Sequence, residues 1–135
     1  MLQGHCADSE RLHQVTVTFN PGQGLDSLDA DVALCLFRVV QEALTNALRH
    51  ARARTIHVAV TKNAESVELN VVDDGVGFVV SSRTRSGLGL RSIHERVRFM
   101  QGDVDIDSRP GGGTRMLVRI PIGRGTETRS QGLLT

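Results

Sequence analysis

The stretch QEALTNALRH, which runs from Gln41 to His50, decides the fold because its apolar residues repeat at helical spacing. It belongs to a longer apolar stripe whose members are separated alternately by three residues and by one. The stripe consists of Leu36, Val39, Val40, Ala43, Leu44, Ala47 and Leu48. Such spacing is typical of a helix that packs one face against a core. We therefore predict an amphipathic helix from about Asp31 to Ala51.

Three polar side chains lie on another face of this predicted helix. Positions four residues apart differ by only about 40° around a helix axis, so Glu42 and Asn46 share a face, and Arg49 joins them one turn later. Asn offers Mg²⁺ an uncharged oxygen beside phosphates, Glu can polarise an attacking group, and Arg can neutralise phosphate oxygens. The face therefore suits a metal–polyphosphate site. Taken alone, the stretch is more often an ordinary solvated helix face.

Alternating apolar residues predict strands on both sides of this helix. The predicted strands are 14–20, 55–62, 66–75, 103–108 and 114–122. A second helical repeat consists of Leu90, Ile93, Val97 and Met100. Gly102 follows as its C-cap. Short turns between strands indicate antiparallel pairing, so we predict an α+β sandwich in which helices pack on one face of a mixed, mostly antiparallel sheet.

The size of the chain suits a single domain. Its 135 residues divide into a predicted domain at 1–122 and a flexible, polar tail at 123–135. Within the domain, 1–13 is predicted to be a leading helix or the remnant of an upstream linker. No apolar run reaches the roughly 20 residues of a membrane-spanning helix, and no signal peptide is visible.

Charge and cysteine content exclude some classes of partner. The formal net charge of +1 gives no electrostatic footprint for nucleic acid or an anionic membrane, so we expect direct contact with neither. The two cysteines, Cys6 and Cys35, lack the spacing of metal ligands. Cys35 falls in the apolar helical run, which predicts a buried free thiol and favours a reducing cytosol.

The segment DDGVGF, residues 73–78, begins within the end of a predicted strand. A carboxylate at a strand end, here Asp73, can accept a hydrogen bond from an exocyclic amine such as that of adenine. Gly75 and Gly77 permit unusual backbone angles and let a flat ring approach the main chain. The segment could equally be a turn that closes the strand, because Asp-Gly is common in turns.

Two further glycine-rich segments could contact phosphates or a base. GLGL, residues 87–90, opens the second helix, and a helix N-terminus offers free N–H groups and a positive dipole end to phosphates. Arg83 and Arg85 precede it and could reach phosphates or simply be solvated. GGGT, residues 111–114, is predicted to be a hairpin turn with a possible hydroxyl contact from Thr114. Neither segment is specific when taken alone.

Taken together, the order and spacing of these segments resemble the GHKL ATPase superfamily of gyrase, Hsp90, histidine kinases and MutL. More narrowly, the chain resembles the catalytic ATP-binding domain of two-component sensor histidine kinases. QEALTNALRHA matches the N box and GLGLRSIHERV the G2 region of a short-lid subgroup that pairs with helix-turn-helix response regulators. The resemblance covers roughly Asp31 to Ile122.

This resemblance implies a Bergerat sandwich that binds ATP and Mg²⁺. It implies that Asn46 ligates Mg²⁺ and that Glu42 activates the phosphoryl acceptor. It also implies that Asp73 recognises adenine, and that Arg49 and His50 lie near the nucleotide. The remaining nucleotide-binding residues implied by the resemblance are Gly75, Gly77, Gly87, Leu88, Gly89, Leu90 and Thr114.

The same resemblance implies partners outside this chain. None of the five histidines has the context of a phosphoacceptor, so we expect a catalytic domain that acts on a separate dimerisation hairpin of the parent kinase. The phosphoryl group would then pass to a response regulator with a helix-turn-helix output. We expect a cytoplasmic domain, and the sequence leaves open whether the parent protein is membrane-bound. The alternatives are an anti-sigma-factor-type serine kinase, a nucleotide-gated interaction module, and a gyrase, MutL or Hsp90 relative.

Overall fold

The computed structural model describes residues 15–50, 52–79 and 90–122, together with Gly4 and Cys6. Both of those isolated residues are helical, and Cys6 is buried. The rest of the predicted leading helix at 1–13 and the predicted tail at 123–135 lie outside the described residues.

Five strands form one sheet in the order β1-β2-β3-β5-β4. The strands are β1, Thr16–Pro21; β2, Thr55–Lys62; β3, Ser66–Asp73; β4, Asp103–Ser108; and β5, Thr114–Pro121. β1 pairs with β2 in parallel, whereas the other three pairings are antiparallel. This confirms the predicted mixed, mostly antiparallel sheet.

Two helices pack against each other and against this sheet. α1 is Ala30–Thr45, preceded by a 3₁₀ turn at Leu25–Ser27, and α2 is Leu90–Phe99. The predicted α-helix to Ala51 is wrong in its last turn, because Asn46–His50 forms a π turn instead. Such wider turns are rare and are frequent at functional sites.

The core lies between the helices and one face of the sheet. Alternation along the strands buries every second side chain on that face, as predicted. The buried strand residues are Ile56, Val58, Val60, Val67, Leu69, Val71, Met116, Val118 and Ile120. The buried helix residues include Val32, Cys35, Leu36, Val39, Val40, Ala43, Leu44, Leu90, Ile93 and Val97. The prediction that Cys35 is a buried free thiol is confirmed, and burial raises its pKa.

The C-terminal end of α2 corrects the predicted cap. Gln101, not Gly102, takes the left-handed conformation, with φ of 61°. Its N–H donates to the Arg98 carbonyl at 2.8 Å, and the Gly102 N–H donates to the Val97 carbonyl at 2.9 Å, which together form a Schellman motif. Gly102 is required for another reason, since a Cβ there would collide with the carbonyl oxygen of Arg119 on β5.

Helix direction brings two helix ends to one end of the sheet. The start of α1 and the end of α2 both line a cavity with Lys62 and Ala64, next to the β2–β3 turn. The end of α1 and the start of α2 therefore lie at the opposite end, where β3 finishes and β5 begins.

The other face of the sheet is polar. Asp103, Asp105 and Asp107 are exposed along the edge strand β4, and Arg119 on β5 pairs with Glu68 on β3 at 3.0 Å. Charged side chains on an edge strand discourage pairing with another sheet. Among the described residues, no helix is long and apolar enough to cross a membrane.

Candidate functional site

Three polar side chains form a row across the end of the sheet, on the side that faces the helices. Asp73 ends β3, Thr114 begins β5 opposite it, and Ser108 ends β4 opposite Thr114. Because side chains alternate between the faces of a strand, Asp73 lies on the same face as the buried Val71 and Leu69. The row is therefore the polar edge of the core.

The Asp73 carboxylate is half-buried and held by backbone donors. Its Oδ1 accepts a hydrogen bond from the Gly75 N–H at 2.8 Å. Burial raises the pKa of this carboxyl above its ordinary value, and the neighbouring Asp74 adds to the rise. Hydrogen bonds from the backbone of Gly75 and Thr114 oppose it. The result is a fixed acceptor in a partly dehydrated place, which suits recognition of a donor on a ligand.

Asp74 ties a second segment to the end of β3. Its Oδ1 accepts hydrogen bonds from the backbone N–H groups of Thr55 and Arg54, at 2.9 and 2.8 Å. These two bonds, with that from Thr55 the larger influence, lower the pKa of the Asp74 carboxyl. The carboxylate therefore fixes the start of β2 against the loop that follows Asp73.

This anchored segment connects directly to the π turn. The Ala53 N–H donates to the Ala47 carbonyl at 3.0 Å, which brings the chain back from the end of α1. Asn46 begins that π turn. The predicted metal ligand and the predicted base-recognising Asp73 therefore lie at the same end of the sheet.

Residues 74–79, which follow β3 and are called here the Asp73 loop, contact the β4–β5 turn. Two glycines allow this close approach of the two backbones. Gly77 has φ of 69° and Gly113 has φ of 74°. A Cβ on Gly77 would collide with the carbonyl oxygen of Arg109, and one on Gly113 with that of Asp73. Gly75 is buried but is not among the described glycines with positive φ, so its part is to donate its N–H rather than to adopt an unusual angle.

Sequence reasoning missed Ser108, which joins these segments. Its hydroxyl lies 2.9 Å from the Phe78 nitrogen, 3.1 Å from the Gly113 oxygen and 2.8 Å from the Thr114 hydroxyl oxygen. Its position in the sequence could have identified it as a site residue, because Ser108 ends a predicted strand just before the glycine-rich turn that leads to Thr114.

The predicted helix residues occupy the end of α1 and the π turn. Glu42 and Asn46 are half-buried, and Arg49 is exposed. The Asn46 N–H lies within the helix, bonded to the carbonyls of Ala43 and Glu42, so its side-chain amide is the group that can serve a ligand. Nothing is described of the side chain of His50.

The glycine-rich entry to α2 lies mostly outside the described residues. This applies to the predicted ligand residues Gly87, Leu88 and Gly89 and to Arg83 and Arg85. Leu90 is the first described residue of α2, and its side chain is 2% exposed within the core. Its side chain therefore supports the helix, while the helix N-terminus lies at the site end of the sheet.

The cavity beside these polar side chains is smaller than two other cavities of the molecule. A cavity of about 360 Å³ touches Asp73, Ser108 and Thr114. Larger ones of about 490 and 540 Å³ lie at the other end of the sheet and between the two helices. We place the site at the smaller cavity, because the fixed acceptors and positive-φ glycines converge there. No cluster of three or more His, Cys, Asp or Glu side chains that could hold a metal occurs within 15–50, 52–79 and 90–122.

Sequence comparison assigns the family. Residues 31–124 match the histidine kinase-, DNA gyrase B- and HSP90-like ATPases. Because this match spans more than half of the chain, the protein belongs to that family of ATP-binding domains. The predicted superfamily is thereby confirmed.

Three relatives are histidine kinases by name. An uncharacterised sensor-like histidine kinase of Chloroflexus aurantiacus is 42% identical over 101 residues, which cover 70% of this chain and 17% of that protein. The histidine-protein kinase/phosphatase DegS of Brevibacillus brevis is 35% identical, covering 67% and 24%. The oxygen sensor histidine kinase NreB of Staphylococcus carnosus is 32% identical, covering 84% and 33%. The chain thus spans a third or less of the length of these relatives.

Solved structures confirm the fold. The histidine kinase domain of a blue-light activated kinase from Erythrobacter litoralis has a TM-score of 0.72 at 21% identity, covering 89% of this chain and 58% of that one. The ATP-binding domain of PrrB from Mycobacterium tuberculosis has a TM-score of 0.68 at 24% identity, covering 89% of this chain and 90% of that one.

Within its family, the chain is a catalytic ATP-binding domain of the histidine kinase type. The serine-kinase and interaction-module alternatives gain no support from these comparisons.

Proposed function

We propose that this domain binds ATP with Mg²⁺ and transfers the γ-phosphoryl group to a histidine on a separate dimerisation hairpin of its parent kinase. The proposal rests on one observation. Asp73, Thr114 and the π turn that begins at Asn46 all lie at the same end of the sheet. The phosphoryl group would then pass to an aspartate of a response regulator with a helix-turn-helix output. The domain would act in the cytoplasm, where ATP is available and Cys35 stays reduced.

The adenine half of the site is supported by the row at the end of β3. The half-buried Asp73 carboxylate can accept a hydrogen bond from the exocyclic amine of adenine. The buried Gly75 N–H fixes that carboxylate at 2.8 Å. Gly77 takes a left-handed conformation beside it and lets this loop lie against the β4–β5 turn, because a Cβ there would collide with the Arg109 carbonyl oxygen.

The phosphate half is supported by the end of α1. Asn46 is half-buried one turn after the half-buried Glu42, and its amide oxygen is a hard donor that fits Mg²⁺ together with phosphate oxygens and water. When bound, Mg²⁺ would neutralise charge on the phosphates. Arg49 is exposed at the same helix end and can approach the phosphates from solvent. The N-terminus of α2 adds a positive dipole end at this side of the sheet.

The chemical step is an in-line displacement. A nitrogen of the acceptor histidine attacks the γ-phosphorus, the bond from that phosphorus to the β–γ bridging oxygen breaks, and ADP leaves. Glu42 is placed one turn before Asn46, where it can orient the incoming imidazole and favour its nucleophilic nitrogen. The domain supplies position and charge, and the hairpin supplies the acceptor.

Calorimetric titration of ATP, with and without Mg²⁺, tests the proposal. A charge-assisted hydrogen bond contributes about 1.5–3 kcal/mol, so Asp73→Ala should weaken ATP binding roughly 10- to 150-fold. Asp103→Ala, on the polar face at the other end of the sheet, is the matched control and should bind as the wild type. Unchanged affinity in folded Asp73→Ala would refute the site.

A phosphotransfer assay tests the metal half. Asn46→Ala should lose Mg²⁺-dependent transfer to the hairpin of a related sensor kinase while keeping its circular dichroism spectrum. Asn70→Ala, on the polar face of β3, controls for loss of an amide elsewhere. Transfer retained by Asn46→Ala at the wild-type rate would exclude this residue as the metal ligand.

A further inference from the structure

The hydroxyl of Ser108 is the meeting point of three segments. It lies 2.9 Å from the Phe78 nitrogen in the Asp73 loop, 3.1 Å from the Gly113 oxygen in the β4–β5 turn, and 2.8 Å from the Thr114 hydroxyl oxygen on β5. Ser108 is half-buried. One side chain thus connects the loop, the turn and the strand around the candidate base site.

Counting protons fixes the direction of each hydrogen bond. A hydroxyl has one hydrogen and two acceptor lone pairs. The Phe78 N–H can only donate, so it takes one lone pair of Ser108 Oγ. The Gly113 carbonyl can only accept, so it takes the Ser108 hydrogen. Only one lone pair then remains for Thr114, whose hydroxyl must donate. This is the single arrangement in which all three contacts are hydrogen bonds.

This arrangement of hydrogens determines what the Thr114 hydroxyl can offer to a ligand. With its hydrogen directed to Ser108, the Thr114 hydroxyl can offer a ligand only lone pairs. Thr114 lies opposite Asp73 on the helix-facing side of the sheet, and the Asp73 carboxylate is also an acceptor. The two neighbouring side chains therefore present acceptors together, which favours a ligand donor and repels a ligand carbonyl.

We propose that Ser108 is a specificity-determining positioning residue, which orients the Thr114 hydroxyl as an acceptor so that the site prefers a 6-amino purine to a 6-oxo purine. This inference rests on the proposed ATP-binding function of the same site. Ser108 need not touch the nucleotide. It acts through the proton of Thr114 and, by accepting from Phe78, also holds the loop that follows Asp73.

The test compares ATP with ITP, which replaces the 6-amino group with a carbonyl. Calorimetric titration gives the dissociation constant of ITP divided by that of ATP. This ratio is measured for the wild type, Ser108→Ala and Thr114→Val. In Ser108→Ala the Thr114 hydroxyl is released and can turn to donate to the 6-oxo group. A neutral hydrogen bond of ordinary strength corresponds to a roughly 2- to 10-fold loss of ATP preference. Ser66→Ala, at the other end of β3, is the matched control and should keep the wild-type ratio.

A double-mutant cycle separates orientation from simple loosening. If Ser108→Ala only loosened the structure, the variant would bind both nucleotides more weakly, and the ratio of their dissociation constants would not change. In the Thr114→Val background, Ser108→Ala should change the ratio no further, because the hydroxyl on which it acts is absent. Amide hydrogen exchange without nucleotide gives an independent readout, since Ser108→Ala should speed exchange of the Phe78 N–H. If the alanine variant does not fold, Ser108→Cys keeps the size with a weak hydrogen-bonding group and should lower the ratio in the same direction.

The outcomes distinguish this inference from the proposed function. A wild type that prefers ATP, with the same ratio in folded Ser108→Ala, would overturn the role of Ser108 and leave the ATP site intact. A folded wild type that binds neither nucleotide would overturn both. A ratio that falls in Ser108→Ala, but not further in the double variant, would support the inference.

Discussion

Replacing Gly77 by alanine should separate the Asp73 loop from the β4–β5 turn. Gly77 has φ of 69°, and a Cβ there would collide with the Arg109 carbonyl oxygen. Gly111→Ala is the matched comparison, because Gly111 has φ of 79° but no atom within 4 Å of an added Cβ. Both variants carry the strain of a left-handed residue, about 1–2 kcal/mol. Only Gly77→Ala also carries the collision.

The structure bounds the extra cost of that collision. Accommodating an added methyl group in a packed position costs about 1–3 kcal/mol. The alternative is for the loop to detach and lose two hydrogen bonds, Phe78 N–H to Ser108 Oγ and Gly111 N–H to the Val76 carbonyl, each contributing about 0.5–1.5 kcal/mol. Both routes give a similar figure. We therefore expect Gly77→Ala to lower the free energy of unfolding by roughly 2–5 kcal/mol, against about 1–2 for Gly111→Ala.

Nucleotide binding should report the same displacement. If ATP binds only the attached loop, its apparent affinity falls by the fraction of molecules in which the loop is attached. A penalty of about 1–3 kcal/mol then weakens ATP binding roughly 5- to 150-fold in Gly77→Ala, with little change in Gly111→Ala. Urea unfolding followed by circular dichroism and calorimetric ATP titration measure the two quantities. Equal losses in the two variants would refute the argument that backbone contact at Gly77 shapes the site.

Four further predictions concern the fold and its titration. Leu36→Ala should destabilise by about 2–5 kcal/mol in urea unfolding, whereas Leu34→Ala, 48% exposed on the same helix, should change stability by less than about 1 kcal/mol; similar losses would contradict the packing. Gln101→Gly should stabilise by about 0.5–1 kcal/mol, because glycine adopts the φ of 61° without strain; a lower melting temperature would count against the capping motif. The lowered pKa of Asp74 means that its stabilisation is present above its unfolded pKa and is lost as pH falls through the folded one, so Asp74→Ala and wild type should converge in acid. The raised pKa of Asp73 has the opposite sign, so Asp73→Asn should gain stability relative to wild type as pH rises through that pKa; a constant difference across the acid range would be inconsistent with its burial.

Local patterns predicted most of the fold. The spacing of the α1 stripe and the alternation of β2 and β3 depend on neighbours within one element, and both were confirmed. The motif at 73–78 made Asp73 a candidate site residue, because a carboxylate at the end of a buried strand is visible in the sequence. Position along the chain was enough to bring these residues to notice.

Features that depend on distant partners were missed or wrong. Ser108 bonds Phe78 from 30 residues away, so no local pattern identifies it. The left-handed residue of the α2 cap is Gln101 because Gly102 is needed where β5 passes close by. The π turn that begins at Asn46 follows an unbroken apolar stripe, and periodicity alone cannot separate it from an α-helix.

The placement of the segment between β3 and α2 has a consequence for variation in length. Both ends of this segment are held by the fold, Asp73 by its pairing with Thr114 and Leu90 by burial in the core. The entropy of closing a loop grows only with the logarithm of its length, so doubling a flexible connection costs about 0.6 kcal/mol. Insertions there would leave the sheet and both helices almost as stable as before. Natural and engineered relatives can therefore change the length of this connection without rebuilding the sheet and helices that it joins.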